Sequence, residues 1–64
     1  MENEIKLVNI LGLARRLRLP AAWLRAEADA RRIPSLRAGR RFLFNVEAVE
    51  RVLLDRAAKG GQAQ

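Results

Sequence analysis

Two prolines set the limits on what this chain can fold into. Pro20 and Pro34 have no backbone N–H to give to a helix or sheet ladder, and each disfavours the helical conformation at the residue before it, Leu19 and Ile33. No helix runs through either point. In a chain of 64 residues this punctuation leaves room only for short elements in one small domain, which buries about 60% of its unfolded surface. A second domain is not expected. Half of the residues are apolar, the level of a folded chain and well above that of a disordered basic tail.

Between the breaks the apolar residues keep helical and then strand spacing. Ile10, Leu13, Ala14 and Leu17 fall at i, i+3, i+4 and i+7 after Asn9, an acceptable N-cap, which predicts an amphipathic helix over residues 10–17. A break of about three residues follows. Pro20 suits the first turn of a second helix, Ala-rich and without a breaker to about Arg31, with Trp23, Leu24 and Ala28 on its apolar side. Ile33-Pro34 ends it. Residues 35–44 then alternate with period two around Gly39, which predicts a β-hairpin with its tip at residues 37–41 and with Leu36, Ala38, Phe42 and Phe44 on one face. Asn45 caps a third helix with Glu47 in its first turn and an apolar stripe of Val46, Val49, Val52 and Leu53, to about Ala58. Ile5, Leu7 and Val8 leave room for a short N-terminal strand. The expected class is mostly α with a β-hairpin.

The charge is uneven. The net +6 comes from 13 Lys and Arg against 7 Asp and Glu, and nearly all of the excess lies in residues 31–44, which hold Arg31, Arg32, Arg37, Arg40 and Arg41 and no acid. Arg presents a planar fork of donors matched to phosphate oxygens and guanine edges, so a polyanion is the natural partner. The competing reading is a solvated charged face. A membrane surface is not expected, because the block has strand spacing rather than an amphipathic helix beside it. The N-terminus is acidic at Glu2 and Glu4 rather than a secretory signal, and no apolar run reaches the roughly 18 residues of a membrane span.

Catalysis is not expected either. The chain has no Cys and no His, hence no thiolate or imidazole ligand and no imidazole base. Ser35 is the only Ser, and Thr and Tyr are absent, so an activated nucleophile has nothing to be built from. No cofactor, metal or small-molecule ligand is expected.

The order helix, tight turn, helix, basic hairpin, helix, with the words Leu17-Arg18-Leu19-Pro20-Ala21-Ala22-Trp23-Leu24, Arg32-Ile33-Pro34-Ser35-Leu36-Arg37-Ala38-Gly39-Arg40-Arg41-Phe42 and Phe44-Asn45-Val46-Glu47-Ala48-Val49, resembles the excisionase-like helix-turn-helix domains, small winged-helix relatives of the MerR family. The likeness covers about residues 5–57. It implies a winged helix-turn-helix domain, expected over residues 1–58; the polar residues 59–64 that follow read as a flexible tail. It implies a double-stranded DNA binder, with the second helix in the major groove and the hairpin as a wing along the backbone or minor groove. Such domains act as recombination directionality factors beside an integrase, as small transcriptional regulators, or as phage DNA-packaging subunits, in a cytoplasmic, nucleoid-associated bacterial or phage setting. The chain departs from the pattern at Gly12, where a Glu is common, at Arg31, where Gly is common, at Ala21 and Ala22, where polar or basic residues are common, and at Leu43, where a basic residue is common.

The candidate DNA-binding residues are Arg18, Ala21, Ala22, Arg25, Arg32, Arg37, Arg40 and Arg41. Arg25 is the best placed for a base edge, the alanines can meet thymine methyl groups, and the hairpin arginines supply backbone affinity. Arg15 and Arg16 either touch phosphate or only cover the first helix. Trp23 is expected as a core anchor between the second helix and the hairpin rather than a base-stacking platform, with Phe42 and Phe44 in the core. Leu43 and Leu54 hint at self-association, and a domain with so few base contacts calls for several copies on neighbouring sites. Two other readings stay open: an assembly module whose DNA contact is secondary, and a binder of structured RNA.

Overall fold

The computed structural model describes residues 6–60. Helix α1 is Ile10–Leu17, α2 is Ala21–Asp29, strands β1 (Leu36–Ala38) and β2 (Arg41–Leu43) form an antiparallel pair, and α3 is Val46–Ala58. Residues 1–5 and 61–64, which include the expected start of the N-terminal strand and most of the expected tail, lie outside the described residues.

Each helix begins and ends for a local reason. Asn9 is extended, and its side-chain oxygen accepts the Gly12 N–H at 2.8 Å; Asn45 does the same for Ala48 at 3.1 Å. Both caps satisfy donors that the first helical turn leaves over. Helix α1 stops where Arg18 turns left-handed (φ 59°), so that the N–H groups of Arg18 and Leu19 both return to the Ala14 carbonyl. Pro20 is the N-cap of α2 rather than part of its first turn, with φ −64° and an extended ψ of 132°. At the far end Arg31 is left-handed (φ 63°), the Arg31 N–H donates to Ala28 and the Arg32 N–H to Glu27. This is a Schellman motif, a position where glycine is cheapest.

The core is a single layer of Leu13 from α1, Leu24 and Ala28 from α2, Ile33 from the link, Phe44 and Val49. Phe44 is fully enclosed, and its backbone exchanges two hydrogen bonds with Val8 at 2.9 and 2.8 Å. That isolated bridge is all of the N-terminal strand found among the described residues. It lays Val8, just before α1, along the end of the hairpin and ties it to the entry of α3.

Two expectations are corrected. Leu36 and Ala38 do not share a face with Phe42 and Phe44. The two-residue loop Gly39-Arg40 pairs Leu36 with Leu43, Arg37 with Phe42 and Ala38 with Arg41, and cross-strand partners share a face. Arg37 therefore lies on the Phe42 side, its guanidinium 5.2 Å from the ring centre, while Leu36 is half exposed. Positive φ at Gly39 alone, 65°, is the pattern of a type II′ turn, which needs glycine first. Trp23 is not a core anchor either: it is 39% exposed, and the Arg56 guanidinium of α3 stands 5.9 Å from its ring centre. Helix α2 is rotated so that Leu24, Glu27 and Ala28 face inward.

Truncating Phe44 to Ala should cost about 3–5 kcal/mol out of a total of roughly 3–10 kcal/mol for a domain of this size, so circular dichroism should find Phe44→Ala largely unfolded at 37 °C. Arg31→Gly should act oppositely. Relief of the left-handed strain, about 1 kcal/mol, raises the melting temperature by a few degrees; a lower value would mean that Arg31 is held there by contacts worth more than the strain.

Candidate nucleic-acid interface

Helix α2 exposes Ala22, Arg25, Ala26 and Asp29, spaced i, i+3, i+4 and i+7, one stripe of its surface. Arg25 is the only basic side chain of this helix, and small neighbours flank it. The hairpin carries Arg40 in its turn and Arg41 at the start of β2, both exposed. Arg25, Arg40 and Arg41 line one cleft of about 250 Å³ together with Asn9, Ile10 and Phe42. No carboxylate lines it. Three cations that face one another across a cleft repel unless an anion lies between them, so the arrangement suits a phosphate-bearing backbone or another polyanion.

The other candidates sit elsewhere. Arg31, Arg32 and Arg37 line a wider groove of about 590 Å³ between the end of α2, the hairpin and α3, with Ile33, Phe42 and Val52 among its apolar walls. Arg18 is exposed in the turn after α1, Ala21 is half-buried and Ala22 exposed at the start of α2, and none of them lines the cleft. Arg15 is exposed, and Arg16 borders a third cleft with Lys6, Glu47 and Glu50. The basic block at residues 31–44 is thus divided between two clefts.

One of its arginines is spoken for. The Glu27 carboxylate is buried and accepts both Arg32 Nε at 2.9 Å and Arg32 Nη2 at 3.1 Å, a bidentate fork, and also Arg56 Nη1 at 3.0 Å. The Arg32 hydrogen bonds hold the Glu27 carboxyl below its usual range against the opposing effect of burial, and Arg56 adds to this. Glu27 in turn raises Arg32. The side chain of Arg32 remains 57% exposed, yet its orientation is fixed by Glu27. Sequence reasoning missed Glu27 and Arg56. The available signal was the position of Glu27 between Leu24 and Ala28 on the inward stripe, because a carboxylate buried there must be paired.

Among the described residues no ion pair engages Arg25, Arg37, Arg40 or Arg41, and the remaining pair, Lys59 with Asp55 at 3.3 Å, lies on the surface of α3. No helix among them is long and apolar enough to cross a membrane. Comparison of the chain with protein-family models, with curated proteins and with solved structures returns no match.

Because the folded-state pKa of Glu27 is depressed, its contribution is complete above the ordinary carboxylate range and is lost as pH falls through the lowered value. Glu27→Gln should melt several degrees below the wild type at pH 7, and that gap should close between about pH 5 and pH 2. Thermal melts across this range measure it; a gap that persists at the acid end would assign the loss to packing instead of charge.

Proposed function

We propose that the protein is a non-enzymatic binder of double-stranded DNA, a winged helix-turn-helix module that works as a recombination directionality factor or a small transcriptional regulator. The observation that carries this reading is the shared cleft of Arg25, Arg40 and Arg41: the one basic residue of α2, set between Ala22 and Ala26 on an exposed stripe that ends in Asp29, faces the basic tip of a hairpin. Helix α2 enters the major groove with Ala22, Arg25 and Ala26 toward the bases. The alanines permit a close approach and meet thymine methyl groups, while Arg25 reads a guanine edge. Arg40 and Arg41 hold the backbone or the minor groove, and Arg37 adds a contact from the other face of the hairpin. Arg32 acts mainly inside the protein, through Glu27.

The resemblance to excisionase-like domains supports the same assignment, and its most specific stretch, residues 32–42, includes Arg40 and Arg41 of the cleft. Sequence preference then rests on few side chains, which suits a protein that works beside a recombinase or other partner on DNA.

Duplex titrations at several salt concentrations test the reading. With Arg25, Arg37, Arg40 and Arg41 neutralising phosphates, log K should fall against log salt with a slope of roughly −4. Replacing both Arg40 and Arg41 with Ala should weaken binding to all sequences alike and reduce the slope by about 2. Arg25→Ala should relax preference at one base pair by about 1–3 kcal/mol. A flat salt response in the wild type overturns the assignment, and uniform loss in Arg25→Ala would move base reading away from α2.

A further inference from the structure

The groove between α2, the hairpin and α3 enters the DNA-binding reading only through Arg37, at its hairpin edge. Its walls combine apolar side chains, Ile33, Phe42 and Val52, with Arg31, Arg37 and the Ser35 hydroxyl, and its one carboxylate is Asp29. Among the described residues neither Arg31 nor Arg37 has an ion-pair partner. The chemistry asks for an apolar side chain flanked by carboxylates. The opposite side of α3 has that composition: Leu54 is 66% exposed, beside exposed Glu47 and Glu50, with Arg51 at the edge.

Position around the helix decides how the two surfaces can meet. At about 100° per residue, Glu47, Glu50 and Leu54 lie within a band about 160–220° away from Val52, the α3 residue that lines the groove. The two surfaces face away from each other, so one chain cannot join them. We infer that the groove receives the Glu47–Glu50–Leu54 stripe of α3 from a second copy of this chain, Leu54 entering between Phe42 and Val52 and the two glutamates meeting Arg31 and Arg37.

A contact between two different surfaces of the same chain is heterologous and does not close on itself unless the rotation makes a ring, so it propagates as a row. The net charge of +6 opposes that row in free solution, and a polyanion removes the opposition. The inference therefore rests on the DNA-binding reading for its setting, though the contact itself does not. On duplexes long enough for several copies it should add a coupling of roughly 5- to 150-fold between neighbours.

Complementation tests the contact without DNA. Leu54→Lys spoils the stripe and leaves the groove, and Arg31→Glu spoils the groove and leaves the stripe; both residues are exposed, and circular dichroism confirms that each variant folds. Each variant alone should stay monomeric at millimolar concentration. When isotope-labelled Leu54→Lys is mixed with unlabelled Arg31→Glu, the amide resonances of Ser35, Arg37 and Phe42 should shift and saturate at one to one. Absence of shifts in the mixture, or equal shifts in the separate variants, overturns the inference. On DNA, Leu54→Lys should bind a short single-site duplex as the wild type does and lose cooperativity on a long one. Failure of the wild type to bind the short duplex would count against the DNA reading alone, while wild-type binding to the long duplex without cooperativity would count against the contact.

Discussion

A buried carboxylate in a domain this small is tolerable only because two arginines reach it, and much of the structure follows from that requirement. Glu27 lies on the inward stripe of α2 beside Leu24 and Ala28, where an unpaired charge would be severely disfavoured. Arg32 satisfies both of its oxygens from the turn just after α2, and Arg56 reaches the same group from the last turn of α3. The carboxylate thus joins three pieces of chain that the thin apolar layer alone would hold weakly. In a Schellman motif the residues at these two positions usually meet through apolar side chains; here they meet as an ion pair. The left-handed turn at Arg31 aims Arg32 back at Glu27, and the next residue, Ile33, then enters the core.

That arrangement has a cost in strain and a consequence for charge. Two arginines, at 18 and 31, take a conformation better suited to glycine, and each does so at a helix end where two backbone N–H groups turn back on the last carbonyls. Short helices leave a large share of their backbone groups at the ends, so in a chain of 8-, 9- and 13-residue helices the terminal geometry weighs as much as the apolar stripes. Pairing Arg32 with Glu27 also commits one member of the basic block to an internal partner, although its side chain stays exposed. What remains available is narrower than the composition suggests: Arg25, Arg40 and Arg41 in one cleft, Arg31 and Arg37 along another.

The parts of this arrangement that are local in sequence were legible there. Asn9 and Asn45 as caps, the bounds of α1 and α3 and the glycine turn each depend on a few neighbouring residues. Two features were not. The face of the hairpin depends on the number of residues in its loop, and a two-residue loop pairs even positions of β1 with odd positions of β2, so an alternation that looked continuous from Leu36 to Phe44 changes face at the turn. In α2 the Ala-rich background leaves the inward direction poorly marked, and Trp23 and Glu27, four residues apart, lie only about 40° from each other around the helix, so a small rotation decides which of them is buried. Size and polarity favoured Trp23 for the core; the arginines that compensate Glu27 lie 5 and 29 residues away, and the second of these distances is beyond any local pattern.

The same loop parity bears on how the hairpin would grip a nucleic acid. Arg41 shares a face with Ala38, whereas Arg37 shares the opposite face with Phe42, and Arg40 lies between them in the turn. A ribbon with all its cations on one side is suited to lying flat on a single phosphate strand. Cations on both faces and at the tip are suited instead to entering between two strands, as in the minor groove, about 6 Å wide and lined by phosphates on either side. Under the DNA-binding reading, the hairpin therefore works best inserted edge-on, Arg40 leading, with Arg41 turned toward the strand that Arg25 also borders. Arg37 is turned away, steadied by the Phe42 ring, and so belongs both to the far edge of that grip and to the groove behind it.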